Sequence, residues 1–165
     1  MELIQEIIIN KPIADCWEVL GNQFTDIHKW ASPVNHAVGD GKTGVNGAAC
    51  DIRGCNISGM GDITEKVTDF DPQNHFLAYD IISGLPVMMK SAKNTWQLIA
   101  LNESRTKVNM KGTVAPNGLI GKLMKPMMKM KFGKMTKDML EELKYYVENN
   151  QPHDRKIKAA KKFAA

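Results

Sequence analysis

The longest periodic stretch of the chain is residues 119–149, LIGKLMKPMMKMKFGKMTKDMLEELKYYVEN. Apolar residues recur in it at intervals of three and four, which is the spacing of one face of an α-helix. They are Ile120, Leu123, Met124, Met127, Met128, Met135, Met139, Leu143 and Tyr146. Lysines and glutamates occupy the opposite face, so the pattern predicts one long amphipathic helix from Leu119 to about Asn149 that covers an apolar surface.

The apolar face of this helix is unusual for its methionines, which are Met124, Met127, Met128, Met135 and Met139. Methionine is unbranched and polarizable, so it fills irregular space and adapts to variable neighbours. Methionines along one face are typical of a cavity whose lining adapts to different ligands. Ordinary core packing explains any single one of these methionines equally well. The pattern therefore indicates a pocket and leaves its occupant open.

Length and composition predict a single ligand-binding domain, residues 1–149, followed by a basic C-terminal tail, residues 150–165. The chain has 165 residues, of which 43% are hydrophobic, and this is enough for one sizeable core. Its net charge of +4 is concentrated in the tail and in six lysines between Lys122 and Lys137. A solvated helix face is the commoner explanation, and transient contact with an anionic membrane is the alternative. We expect no nucleic-acid partner.

The N-terminal residues lead directly into an alternating strand pattern, without a basic and then apolar leader. No apolar run approaches the roughly 20 residues that cross a bilayer. We therefore expect a soluble, cytoplasmic protein whose three cysteines stay reduced. The cysteines and histidines have no metal-ligand spacing, so we expect neither a metal nor a cofactor.

Short runs of β-forming residues, separated by turn residues, predict a sheet of seven strands. They are Leu3–Asn10, Val34–Val38, Ala48–Cys55, Asp62–Phe70, Phe76–Ser83, Met88–Leu101 and Lys107–Ala115. Two short helices are predicted after the first strand, and the later connections are short enough for antiparallel hairpins. The order predicts an α+β fold in which a curved antiparallel sheet wraps around the long C-terminal helix and leaves a cavity.

Hairpin geometry places Arg53 opposite Glu65 in the predicted sheet. A turn centred on Gly59 pairs residues at equal distances on either side of it, which puts these two side chains on the same face. If that face points inward, they form a partly buried ion pair at the floor of the pocket, where they can bind a polar end of a ligand. If it points outward, they form an ordinary cross-strand pair, and the spacing alone does not decide between the two.

Several local motifs follow one another in a distinctive order along the chain. They are Ile9-Asn10-Lys11-Pro12, Cys16-Trp17-Glu18-Val19-Leu20, Gly47 to Arg53, Glu65-Lys66-Val67 with Phe70-Asp71, and Val114-Ala115-Pro116. In this order residues 2–148 resemble the START-related and birch-pollen-allergen superfamily, particularly its bacterial polyketide cyclase/dehydrase and lipid-transport branch. The resemblance implies the helix-grip fold of that superfamily.

The chain is also similar to the plant abscisic acid receptors and their bacterial relatives. In those proteins the residues matching Arg53, Glu65, Tyr79 and Ile81 face the cavity, so the similarity favours the inward direction for the ion pair. The gate position of the receptors holds Ser58-Gly59-Met60 here, and a gate-like Gly84-Leu85-Pro86 lies one hairpin later. Their cavity lysine has no match, which argues against recognition of the same hormone.

These observations predict a protein that binds or carries a small, mostly hydrophobic ligand, such as a lipid, sterol, polyketide or aromatic compound. Arg53 and Glu65 are expected to anchor a polar end of the ligand. The expected apolar wall consists of Tyr79, Ile81, Trp96, Met124, Met127, Met128, Met135 and Met139.

Two alternatives stay open at this point. One is a cyclase- or dehydrase-type enzyme, in which Glu65 moves a proton and Arg53 stabilises an enolate. The other is a lipid-handling protein held at the membrane surface by the lysine-rich helix face and the tail.

Overall fold

A seven-stranded antiparallel sheet forms the body of the protein in the computed structural model, which describes residues 1–164. Its strands are β1 (Glu2–Ile9), β2 (Val34–Gly39), β3 (Ile52–Ile57), β4 (Gly61–Asp71), β5 (Phe76–Ser83), β6 (Met89–Asn102) and β7 (Arg105–Pro116). They lie in the order β1-β7-β6-β5-β4-β3-β2, so β1 and β2 are the edges of an open sheet. With the long C-terminal helix, this arrangement confirms the predicted α+β helix-grip fold.

The β3–β4 hairpin has the predicted register. Arg53 lies opposite Glu65, and the turn between the strands contains Gly59. Gly59 and Gly61 have φ angles of 78° and 87°, a region that residues with side chains rarely adopt. These two glycines let the chain reverse without shifting the register of the strands.

Strand β3 begins at Ile52 and not at Ala48 as predicted. A 3-10 turn at Val45–Gly47 precedes it, with positive φ at both Asn46 and Gly47. Residues 48–51, which follow this turn, make no strand pairs, although Ala48 and Cys50 are buried in the core. The apolar pattern was therefore correct about burial and wrong about the strand boundary.

Two short helical segments follow β1, as predicted. The first is α1 (Ile13–Trp17), which continues as a π-helical turn through Asn22, and the second is a 3-10 helix, Phe24–Lys29. Their apolar side chains, including Leu20 and Phe24, join the same core cluster as the side chains from the inner face of the sheet.

The C-terminal helix is broken at Met124, so the prediction of one continuous helix from Leu119 is wrong. The structure has α2 at Gly118–Leu123 and α3 at Lys125–Asn149, with Pro126 in the first turn of α3. Proline has no N–H to donate to the carbonyl four residues earlier, and its ring clashes with that carbonyl. Proline is therefore tolerated at the start of a helix and not in its interior.

The break separates two parts of the apolar pattern. Met139, Leu140 and Leu143 of α3 pack in the main core, whereas Ile120 and Leu123 of α2 are exposed to solvent. The predicted apolar face is thus correct for the second half of the stretch and wrong at its beginning. No helix within residues 1–164 combines the length and the apolar character needed to span a bilayer.

The basic tail contains a further helix, α4 (Asp154–Ala164), which is attached to the domain. Arg155 donates from Nε to Oε1 of Glu142 and from Nη2 to Oε2 of Glu141, both at 2.9 Å. Lys156 is buried, and its Nζ donates to the backbone carbonyl of Val34 at 2.6 Å. Two basic residues of the tail therefore hold it against α3 and β2.

The attachment of α4 yields a paired stability prediction. The side chain of Glu142 is fully buried and also accepts from the backbone N–H of Ser32 at 2.8 Å. We expect Glu142→Ala to lower the free energy of unfolding by about 3 kcal/mol, because it leaves a buried donor and a cation without their acceptor. Glu141→Ala is the matched control, since that side chain is 41% exposed and its bond to Arg155 should contribute less than about 1 kcal/mol. Denaturant unfolding checks both values, and equal losses would contradict the role given to Glu142.

Candidate ligand-binding site

Arg53 and Glu65 both point to the inner side of the sheet, towards α3. Side chains alternate between the two faces of a strand, and the buried residues of β3 are Arg53, Cys55 and Ile57. Arg53 is 1% exposed and Glu65 is 5% exposed. The two charged groups therefore lie within the core, and the inward alternative is the one that this fold adopts.

Both contacts from the Arg53 guanidinium to Glu65 go to the same carboxylate oxygen. Arg53 donates from Nε to Oε2 at 2.7 Å and places Nη2 2.6 Å from the same oxygen. The sulfur of Cys55 lies 3.3 Å from this oxygen as well. Within residues 1–164, no hydrogen bond reaches the second oxygen, Oε1 of Glu65, which is left free to accept one.

Phe24 engages the remaining side of the Arg53 guanidinium. Nη1 donates to the backbone carbonyl of Phe24, and the guanidinium carbon lies 3.6 Å from the centroid of the Phe24 ring. The ring of Tyr79 lies farther away, with its centroid 5.3 Å from the same carbon. Each nitrogen of Arg53 thus has one partner within the protein, and the two bonds to Glu65 hold that carboxylate in place.

Burial sets the protonation of the groups around the pair. Burial opposes the charge on Arg53, but the adjacent carboxylate of Glu65 outweighs it, so the pKa of Arg53 is raised. Burial raises the pKa of the Cys55 thiol to about 12, and it also raises the pKa of the Tyr79 phenol to about 12. Both groups are therefore neutral near pH 7, where they act as hydrogen-bond donors and not as bases.

A small space, the inner cavity, lies beside the ion pair between the sheet and α3. Its volume is about 80 Å³. Its polar lining residues are Arg53, Cys55, Glu65, Tyr79, Asn94 and Thr136, and its apolar lining includes Ile81, Met110 and Met139. A cavity needs a volume of roughly 10–15 Å³ to hold one water, so the inner cavity has room for a few waters or one small chemical group.

A larger space, the outer pocket, lies beside the break between α2 and α3. Its volume of about 490 Å³ falls within the roughly 300–1,000 Å³ of typical small-molecule sites. It is lined by the β3–β4 turn, by the β5–β6 loop and by the first half of α3. These residues are Ser58, Gly59, Met60, Pro86, Met88, Met124, Met127, Met128, Lys131, Phe132 and Met135. The outer pocket is therefore large enough for a ligand and mostly apolar.

Two methionine side chains separate the inner cavity from the outer pocket. Met60, in the β3–β4 turn, and Met135, in α3, line both spaces. Methionine side chains rearrange easily because they are unbranched and have three rotatable bonds. The partition between the two spaces is thus made of the side chains that are best able to move.

Nine of the ten site residues predicted from the sequence line one of the two spaces. Arg53, Glu65, Tyr79, Ile81 and Met139 line the inner cavity, Met124, Met127 and Met128 line the outer pocket, and Met135 lines both. Trp96 lines neither space. It lies behind Tyr79 and donates from Nε1 to the phenol oxygen at 3.4 Å, so it supports a lining residue from the core.

Several lining residues are absent from the predicted set, notably Met60, Met88, Asn94 and Phe132. Met60 and Met88 lie in or next to hairpin connections, where no periodic pattern exists to indicate their direction. Asn94 and Phe132 lie within regular elements, but a single polar or aromatic residue gives no sign of a cavity. The gate-like position of Met60 was the one signal that pointed to any of them.

Residues 2–148 match the model of a family described as polyketide cyclase / dehydrase and lipid transport. A comparison with curated proteins finds no significant match.

Solved structures share the fold at low sequence identity. A START superfamily protein from Mycobacterium smegmatis has a TM-score of 0.74 at 11% identity, covering 91% of this chain and 99% of that one. The Zhui aromatase/cyclase from Streptomyces sp. R1128 has a TM-score of 0.70 at 13% identity, with coverage of 93% and 99%. XoxI from Bacillus cereus has a TM-score of 0.71 at 16% identity, with coverage of 92% and 99%.

At these identities the structural likeness shows the fold alone, while the family match extends over almost the whole chain. The chain therefore belongs to the polyketide cyclase/dehydrase and lipid transport family.

Proposed function

We propose that the protein binds and carries a small, mostly hydrophobic molecule whose apolar body fills the outer pocket and whose polar end reaches Glu65. The observation that supports this most directly is the shared lining, because Met60 and Met135 border both the outer pocket and the inner cavity. A change of rotamer in these two side chains joins the two spaces into one elongated site. One end of that site is polar and the rest is apolar.

The free oxygen of Glu65 determines the chemistry of the polar end. It can accept a hydrogen bond, so it suits a hydroxyl group of an alcohol, a sterol or a phenolic polyketide. A ligand carboxylate would meet the carboxylate of Glu65, and two like charges at close range disfavour each other. Arg53 offsets this repulsion only in part, because three of its five N–H groups are already used on Glu65 and Phe24.

Affinity comes from apolar burial, at roughly 25 cal/mol per Å² removed from water, less the cost of ordering the ligand and the methionines. Because methionines make up most of the apolar wall, the site should accept analogues of similar size. A cytoplasmic location for this carrier, where free thiols persist, is part of the proposal.

A cyclase- or dehydrase-type reaction is the second candidate. The observation that favours it is the free Oε1 of Glu65, which can accept a proton from a bound substrate. The neutral phenol of Tyr79 lines the same cavity and could donate a hydrogen bond to a developing enolate.

The first test compares two ligands that differ only in the polar end, dodecanol and dodecanoate. At about 100 times its Kd, dodecanol should stabilise the folded protein by about 2.7 kcal/mol, which raises Tm by roughly 5–10 °C. Dodecanoate should bind at least about tenfold more weakly, because its charge faces Glu65. Thermal unfolding with each compound measures both effects. Equal or tighter binding of dodecanoate would remove Glu65 as the anchor, and no stabilisation by dodecanol, cholesterol or emodin would contradict carriage altogether.

A second test blocks the outer pocket from within α3. Met127→Trp adds volume to a lining side chain, so dodecanol binding should weaken at least about tenfold while Tm without ligand changes little. Met130→Trp is the matched control, since Met130 lies on the same helix, is 70% exposed and lines neither space. Loss of binding in both variants, or in neither, would show that the ligand does not occupy the outer pocket.

A third test separates carriage from catalysis at Glu65. Replacing both charges, Arg53→Met with Glu65→Leu, should preserve folding, because a buried ion pair can be exchanged for apolar residues of similar volume at little cost. This variant should lose the preference for dodecanol over dodecane measured by thermal shift. If the native protein instead converts a polyketide substrate, and Glu65→Gln abolishes turnover while binding persists, the enzyme candidate replaces the carrier.

A further inference from the structure

Four large apolar side chains are exposed together at the end of the molecule next to the outer pocket. Val87 is 88% exposed, Leu119 84%, Ile120 70% and Leu123 82%. Val87 lies in the β5–β6 loop, and the other three occupy positions i, i+1 and i+4 of α2, which is one face of a helix. We call these four residues the apolar tip.

The outward direction of the apolar tip is built into the packing of α2. On the opposite side of this helix, Gly121 is buried, and a Cβ placed on it would lie 2.4 Å from the carbonyl oxygen of Met88. Asn117 donates from its backbone N–H to the same carbonyl at 2.8 Å and from Nδ2 to the carbonyl of Val87 at 2.9 Å. The glycine side of α2 is therefore held against the β5–β6 loop, and the apolar side is held towards solvent.

The surroundings of the apolar tip are basic. Lys122, Lys125 and Lys129 are exposed, and no ion pair among residues 1–164 involves any of them. The segments that carry the tip, residues 81–102 and 104–137, contain no aspartate or glutamate. Exposed apolar side chains surrounded by lysines complement an anionic lipid bilayer, which has charged headgroups at its surface and apolar acyl chains beneath them.

The apolar tip lies next to the outer pocket. Met88 lines the outer pocket, and it also lines a surface groove of about 380 Å³ together with Val87, Leu119 and Ile120. Whatever covers the tip therefore lies next to Met88, a residue of the pocket wall.

We propose that the apolar tip docks onto an anionic lipid bilayer. Val87, Leu119, Ile120 and Leu123 enter the boundary between headgroups and acyl chains, the three lysines contact anionic headgroups, and the outer pocket opens towards the membrane. Arg155 and Lys156 of the tail bind inside the protein, so the tail adds only Lys158, Lys161 and Lys162 to the basic surface. The proposal does not require the proposed function, since docking is measured without any carried ligand.

The test is co-sedimentation of the full chain with vesicles of phosphatidylcholine alone or mixed with phosphatidylserine. The native protein should bind the mixed vesicles, bind neutral vesicles more weakly, and lose affinity as salt rises. The triple variant Leu119→Ser, Ile120→Ser, Leu123→Ser should bind at least about tenfold more weakly. Two exposed apolar residues elsewhere provide the matched control: Ile4→Ser with Leu101→Ser, which are 68% and 46% exposed in the native protein, should leave binding unchanged.

A second measurement reports insertion directly. Trp17, Trp30 and Trp96 are buried, so brominated lipids should not quench them, whereas Leu119→Trp should be quenched on anionic vesicles. Failure of the native protein to bind, equal binding by the triple variant, or absence of quenching would each overturn the proposal. So would a native dimer in gel filtration that the triple variant converts to monomer, because a second copy of the chain would then be the occupant.

Discussion

The interior of this protein is organised by the requirement that one buried guanidinium be satisfied. Two charges removed from water cost several kcal/mol each, and their attraction compensates only when other hydrogen bonds complete the arrangement. Arg53 meets this condition through Glu65 and through the carbonyl and ring of Phe24. The 3-10 helix that begins at Phe24 therefore packs against the inner face of the sheet at Arg53. The polar end of the interior lies there, and the opposite end is left to apolar side chains.

A second constraint, the position of one proline, shapes that opposite end. Pro126 cannot donate to a preceding helical turn, so α3 starts beside it and α2 is a separate helix. Met124, at the break between the two helices, lines the outer pocket. Leu119, Ile120 and Leu123 of α2 are exposed to solvent. Gly121 then fixes α2, because only a glycine allows the helix to approach the carbonyl of Met88 so closely. The pocket and the apolar tip thus have a common origin.

The sequence predicted those features that depend on local chemistry. The pairing of consecutive strands from β2 to β7 and the pairing of Arg53 with Glu65 follow from short connections and from the turn at Gly59, whereas the pairing of β1 with β7 joins residues about 100 positions apart. The direction of the pair could not be derived in the same way, because both faces of a strand satisfy the same spacing. Family resemblance supplied that direction, and the burial of both side chains agrees with it.

The remaining differences have physical reasons. The spacing of apolar residues continues across Pro126, so periodicity alone predicts an unbroken helix and a buried apolar face at Ile120 and Leu123, both of which are wrong. Lysines and arginines suggest a solvated tail, yet Arg155 is recruited by the fully buried Glu142, a partner that only the three-dimensional fold brings near. Loop residues such as Met60 contribute to the site through their position in space, which no spacing in the sequence encodes.

The outer pocket and the inner cavity contribute differently to binding: the first supplies most of the affinity and the second supplies the selectivity. The outer pocket offers apolar contact to any body of suitable size, so its contribution to binding is nearly the same for ligands that differ only at one end. Discrimination between such ligands must then come from the inner cavity, where one oxygen of Glu65 is free and three of the five N–H groups of Arg53 are already used. Met60 and Met135 lie between the inner cavity and the outer pocket. The free energy needed to move their side chains is the same for ligands that differ only in the polar end. The choice of ligand therefore depends on the polar groups of the inner cavity, chiefly the free oxygen of Glu65 and the neighbouring Tyr79 and Asn94, because the apolar contributions nearly cancel in the difference of binding free energies.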